Sequence, residues 1–530
     1  MAERRRRFTF AVLALLAGAM PALADVPALD AVRGKARAAL ARRDPISAEV
    51  ALRSALRHGA PADALRADLG AALLARGARG EAHAVLDAGG FTPDSAALGW
   101  RMRGELALAD GRLGDAGKAF DQALRQTPDD AELWVAIARL RFTGGEQAQA
   151  VVAAQRAVAL APRNPRALAL RGALVREQFG LRAALPWFEA ALRIHPGDPD
   201  LLVEYAATLG DIGANRATLV VVRKLVEVDP TNVRARYLQA VIAARAGKDD
   251  LARAILQRTG SALRDMPAAM LLSGVLEFRA GNIHAASGLF DRLVRLQPDN
   301  LQAQQLLART LAREGDRRQV AWRWDSVARQ PFAPPYLQVT VARAWQALGQ
   351  PERARSLLAA SALRTRSGAV QPFAAIPPDL PLPVLAQRYR DAPNAAATAV
   401  PYVRGLLLAN QPGEARGVAE RLRAANPGAS EAWLLAGDAA MMAGDPRAAL
   451  SQYQRGAAIR FNEPVLRRLD AALRATGQGA AADAMTARYL AQNPASFVAM
   501  RLLAASWRRA GRDAEAKAMA RALAARGQVI

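Results

Sequence analysis

The 530-residue chain contains no cysteine. That excludes disulfides, thiolate metal sites, cysteine nucleophiles and lipid attachment to an N-terminal cysteine. Histidine is nearly as scarce, with four residues: His58, His83, His195 and His284. They are too far apart for an HExxH pair, so a packing or surface role is expected for each, with no metal site and no cofactor. Aromatics make up 5% of the chain although hydrophobic residues make up 52%, which leaves alanine and leucine to carry the apolar content. That mixture suits closely packed helices, whereas a sheet would want Val, Ile, Thr and aromatics. Charged residues at 23% and a mean hydropathy of −0.01 argue against a disordered chain or a multi-spanning membrane protein. Lysine is also rare. Lys35, Lys118, Lys224, Lys248 and Lys517 are all there are, so arginine supplies nearly all of the 72 Lys+Arg that face 48 Asp+Glu, for a formal charge of +24. Guanidiniums present a planar donor fork to carboxylate, sulfate or phosphate. A nucleotide-composition bias would give the same arginine count, so the charge alone implies attraction to anions and no particular one.

Long apolar runs are confined to the beginning. Arg4 to Arg7 form a charged segment, an apolar run follows from Phe8 to about Met20, and Pro21 and Ala22-Leu23-Ala24 close it. Residues 1–24 read as a secretory signal peptide, whose apolar run is too short for a comfortable transmembrane span of roughly 20 residues. The expected location is periplasmic, with no stable membrane insertion after cleavage; an uncleaved N-terminal anchor is the alternative.

What is present is a period. Gly77, Gly111, Gly145, Gly213, Gly247, Gly281, Gly315 and Gly349 fall in one phase of 34 residues, with Gly180 one residue late at the position between Gly145 and Gly213. Pro128, Pro162, Pro196, Pro230 and Pro298 keep the same phase, with Arg264 at the missing place. Five residues after the glycine position stands a small residue in seven units (Ala82, Ala116, Ala150, Ala184, Ala252, Ala286, Ala354), and nine after it a larger one in several, among them Leu86, Phe120, Phe188, Phe290 and Trp324. Glycine ends a first helix, alanine lets a second approach closely, the bulky residue fills the gap, and proline turns the chain to the next unit. One such hairpin cannot bury its own face, so the units must stack.

The pattern resembles the tetratricopeptide repeat. In residues 97–130, Trp100, Gly104, Gly111, Ala116, Phe120, Ala123 and Pro128 occupy the signature positions. Trp134 and Trp433 repeat the place of Trp100; Gly172, Gly274 and Gly437 repeat that of Gly104. The fold class implied is all-α: an α-solenoid of helix–turn–helix repeats winding as a right-handed superhelix, interrupted by a Pro-rich insertion. Ten units, some degenerate, are expected over 25–366. A Pro-rich linker follows over 367–395, with a short helix allowed around Val384 to Arg390 and either a spacer or a docking role. Four further units are expected over 396–530, the last helix capping the stack.

No catalytic constellation emerges. Gly111 to Lys118 is one residue too long for a phosphate loop and lacks its Ser or Thr. The pairs Asp129-Asp130 and Asp249-Asp250 sit at helix starts, where they offset the helix dipole. The chain is expected not to be an enzyme. The family resemblance implies that the first helix of each pair lines a concave groove. Projected onto it are Arg101, Glu105, Arg139, Phe142, Arg166, Arg176, Glu177, Asp200 and Asp211. From 233 onward the projection turns basic and aromatic: Arg234, Tyr237, Arg245, Phe278, Arg279, Gln305, Arg309, Arg313, Tyr336 and Arg343, with no acid. That stretch is the candidate partner-binding site, suited to an acidic or extended ligand; ordinary solvated surface is the competing reading. The clamp for acidic chaperone C-termini does not fit, because its lysine and asparagine positions hold Val203 and Ala207, or Tyr237 and Val241.

A second resemblance lies in Ala36 to Leu40, Ser47 to Leu52, Ala55-Leu56 and Arg103 to Leu108, which look like the tetratricopeptide proteins of PEP-CTERM/exosortase exopolysaccharide systems. It implies a non-catalytic exported scaffold for protein partners in envelope assembly or polysaccharide export. Direct binding of an anionic exopolysaccharide, or regulation of an envelope enzyme, are the alternatives. Nucleic acid is not an expected partner, since an exported chain seldom meets it.

Overall fold

A computed structural model describes residues 26–298, 300–329, 333–367 and 380–524. Residues 1–24, read above as a signal peptide, lie outside them. The described residues form 29 α-helices and no strand. The chain divides into two compact units, with the boundary between Leu140 and Arg141 inside the helix Ala131–Thr143.

Helices pair as the period requires. Ten hairpins run from Val26–Ala41 with Pro45–Arg57 to Pro335–Ala347 with Pro351–Ser367; four more run from Ala396–Leu408 with Pro412–Ala425 to Phe497–Arg509 with Asp513–Ala524. Each phased glycine adopts the left-handed conformation the turn demands, from φ +72° at Gly247 to φ +93° at Gly315. Gly180, the residue out of phase, also has a positive φ, +104°. An L side chain at these φ values is strained, which is why glycine marks the turn. The seven phased alanines, Ala82 through Ala354, are all completely buried.

The signature glycine inside the first helix has a different task. A Cβ built on Gly104 would stand 2.3 Å from the ring of Phe120; on Gly274, 2.5 Å from Phe290; on Gly437, 2.3 Å from Tyr453. The bulky residue of the second helix therefore lies directly on the backbone of the first. Phe120, Phe188, Phe290, Trp324 and Tyr453 are all 2% exposed or less. In a chain poor in aromatics, the rings of these five hairpins fill the space that small residues open.

Between hairpins the connection is capped from both sides. Asn164, Asp198, Asn232, Asn300 and Asn462 accept hydrogen bonds from backbone N–H groups in the first turn of the following helix, satisfying donors that helical pairing leaves open. The proline carbonyl of the same connection is also taken. Trp134 Nε1 donates to Pro128 O and Trp433 Nε1 to Pro427 O, each at 2.8 Å. At the equivalent places Gln304 donates to Pro298 O and Arg236 to Pro230 O. That is the task of the indole at Trp134 and Trp433, whereas Trp100 meets Phe91 edge-on at 6.0 Å.

Two places depart from the ideal. The repeat lacking the phased proline has a second helix of nine residues, Asp249–Gln257, followed by consecutive turns. In the Pro-rich region a helix spans Leu382–Asp391, two residues longer at its start than the allowance from sequence and one at its end. Its Leu385 and Tyr389 are buried in the apolar cluster of the following hairpin. Tyr389 stacks on Tyr402 at 5.2 Å and accepts a hydrogen bond from Arg421 Nε at 3.0 Å. This half of the region is packed structure, not free chain.

Candidate functional site

The eight projected site residues all lie on first helices of successive repeats between 233 and 347. Arg234, Arg245, Arg279, Arg309, Arg313 and Arg343 are exposed, as is Tyr336, and Tyr237 is half-buried. The structure brings some together. The guanidiniums of Arg309 and Arg313, one helical turn apart, stand 5.0 and 5.2 Å from the ring centre of Phe278 on the preceding repeat. Arg279, beside Phe278, reaches Asp249 at 3.4 Å. That acid belongs to a second helix and lay outside the projection, so the basic stretch is partly neutralised from its edge. Arg245 donates to the carbonyl of Gly210 at 2.5 Å. Tyr237 has its hydroxyl pKa raised by burial and by Asp211, with Arg245 opposing. Arg234, Arg309, Arg313 and Arg343 have no carboxylate within ion-pair distance among the described residues.

The preceding stretch of first helices has another character. Arg176 pairs with Glu204 at 3.1 Å and donates to Thr208 Oγ1 at 3.1 Å. Desolvation raises the Asp211 carboxyl pKa, against the pull of Arg245 and Arg176. These groups line one wall of a cleft of about 660 Å³. The other wall comes from the C-terminal hairpins: Phe461, Asn462, Glu463, Tyr489, Asn493 and Ser496. Polar bonds join the two walls at their rims. Phe461 N donates to Glu177 O at 2.9 Å, and Arg460 bridges Glu177 at 2.7 Å and Glu431 at 2.9 Å. Gln178 Nε2 donates to Ala458 O, and Leu181 N to Asn493 Oδ1. Nothing local in the sequence signals this seam, since its partners are about 280 to 312 residues apart.

Three of the histidines have named partners. His58 contacts Ser54 O, His83 lies between Asp87 and Asp110, and His284 meets Glu314. Among the described residues no group of three or more His, Asp or Glu side chains is placed to hold a metal ion. No helix among them is long and apolar enough to cross a membrane.

A family model described as a tetratricopeptide repeat matches residues 76–131, 101–165, 221–262, 271–316 and 403–463. No curated protein matches. Among solved structures, the chain is similar to the Cut9–Hcn1 hetero-tetramer of APC/C, at 13% identity over 90% of this chain and 96% of that one, with a TM-score of 0.33. It is similar to the human IFIT1 dimer with m7Gppp-AAAA at 14% identity over 68% and 89%, TM-score 0.39. It is also similar to pilF of Pseudomonas aeruginosa at 19% identity over 41% and 99%, TM-score 0.35. None of these likenesses supports the exosortase-system resemblance, which rests on residues near the start of the chain alone. Five matched segments, the 34-residue phase from Gly77 to Gly349 and hairpins locked by glycine and ring agree that these hairpins are tetratricopeptide repeats, a kind of repeat that serves as a scaffold for binding other proteins.

Proposed function

We propose that this chain is a non-catalytic exported scaffold that holds protein partners with acidic or extended segments, within a cell-envelope assembly or polysaccharide-export system. The observation that carries the proposal is the set of guanidiniums at Arg234, Arg309, Arg313 and Arg343, exposed on three of the four repeats between 233 and 347 and lacking carboxylate partners among the described residues. Arginines displayed in this way bind carboxylates through paired donors. Many weak contacts on one framework add to a firm hold. The export reading rests on the Arg4–Ala24 segment.

The test replaces Arg279, Arg309 and Arg313 with glutamate and measures capture of envelope partners by the mature protein. Loss of capture with an unchanged melting temperature supports the groove; unchanged capture removes it. A second reading is favoured by Phe278 between Arg309 and Arg313, with Tyr336 exposed one repeat on. Rings flanked by cations suit the sugar faces and acid groups of an anionic exopolysaccharide. Salt-sensitive binding of purified polymer, without any protein partner, would favour that reading.

A further inference from the structure

The seam between the hairpins at 147–194 and those at 430–496 advances about one repeat on each side from its first contacts to its second, and from there to its third on the later side only. Ser430 N bonds Gln147 Oε1, and Ala148 N bonds Gly428 O; about one repeat later on both sides, Glu177 meets Phe461 and Arg460; then Leu181 meets Asn493. Two turns within repeats on one side thus face three turns between repeats on the other. Successive hairpins along the stack are held by buried rings and alanines, whereas the bonds named across this seam are hydrogen bonds and ion pairs. Arg460 is its central cation, shared between Glu177 from one side and Glu431 from its own. Polar contacts of this kind weaken with ionic strength, and small polar interfaces within one chain open more readily than apolar ones.

We propose that this seam is a reversible clasp: the hairpins 430–496 close over the first-helix side of the repeats 165–232 and open when Arg460 is drawn off Glu177. In the closed state Arg176, Glu204 and Asp211 line the cleft and the rims of that cleft are bonded shut. An anionic segment competes for Arg460 with Glu177 and Glu431, so an acidic ligand is the natural opener. The part played by a ligand rests on the groove reading above; the clasp itself does not.

The absence of cysteine permits a direct test. Gln178→Cys with Ala458→Cys puts thiols on two residues that the 2.9 Å bond from Gln178 Nε2 to Ala458 O brings side by side, and a short bifunctional maleimide reads closure as a cross-link within one chain. At low salt the cross-link forms. Raising the salt to about 1 M, where screening acts within about 3 Å, or adding Arg460→Glu slows it about tenfold, and Glu177→Arg with Arg460→Glu restores part of the rate. Helical circular dichroism shows that each variant remains folded. Cross-linking insensitive to salt and to Arg460→Glu, or found only between two chains, overturns the clasp. Neither result depends on any partner, so failure here is separate from failure of the groove.

Discussion

The first helices of repeats 165–232 and those of repeats 233–347 share a backbone plan and differ in what their charges meet. In the earlier stretch Arg176 has Glu204, Glu177 has Arg460, and a facing wall covers them. In the later stretch Arg309 and Arg313 lean on a phenyl ring, and Arg234 and Arg343 have no acid beside them among the described residues. The comparison teaches that arginine count says little about availability. A guanidinium already bonded to a carboxylate has spent its donors, and its worth to a ligand is the difference between two similar bonds. One resting on an aromatic face keeps its in-plane N–H groups for a ligand.

The largest effect should be one that the two stretches share. Phe188→Ala and Phe290→Ala remove rings that are wholly buried in equivalent places, and each is expected to cost about 3–5 kcal/mol. Urea denaturation would show it; a cost in one stretch alone would mean that their cores also differ. The next effect separates them. Arg309→Glu with Arg313→Glu should lower partner capture about tenfold or more and leave stability nearly unchanged. Arg176→Glu should instead lower stability, by leaving like charges at Glu204, with little change in capture. Reversal of those two outcomes would exchange the roles of the stretches. The smallest effect is a dependence on pH. Desolvation raises the Asp211 carboxyl pKa, so on acidification the folded state gains its proton before the unfolded one, and stability rises through that window. Asp211→Asn should be neutral to slightly stabilising at about pH 7, with the difference vanishing once pH falls below the ordinary carboxylate value of about 3.9. Melting temperatures at several pH values would check it.

The repeat architecture was legible because every hairpin restates the same local demands. Gly77 through Gly349 announce a left-handed turn, and Ala82 through Ala354 a close approach, without reference to distant residues. Gly70 carries the same demand as Gly104, with Leu86 lying on it as Phe120 lies on Gly104. The candidate site was half legible. The sequence phase placed Arg309 and Arg313 on one helix but could not pair Arg279 with Asp249, because that acid arrives from a different helix of the preceding repeat. Arg103 shows the same limit. It stands at a buried face, yet its guanidinium donates to the carbonyls of Leu86 and Gly89 and lies over Phe91 and Trp100. The seam at Glu177 and Arg460 was illegible, since only the accumulated geometry of the intervening hairpins brings them together.

The strut from a first-helix side chain to the preceding proline carbonyl has a consequence for the gauge of the stack. An indole at Trp134 or Trp433, an amide at Gln304 and a guanidinium at Arg236 are rods of unequal length reaching the same kind of acceptor. Each ties the first turns of its helix to the connection that leads into it, six residues back. Exchanging a single rod would therefore re-bend the spine locally and leave its packed interior as it was.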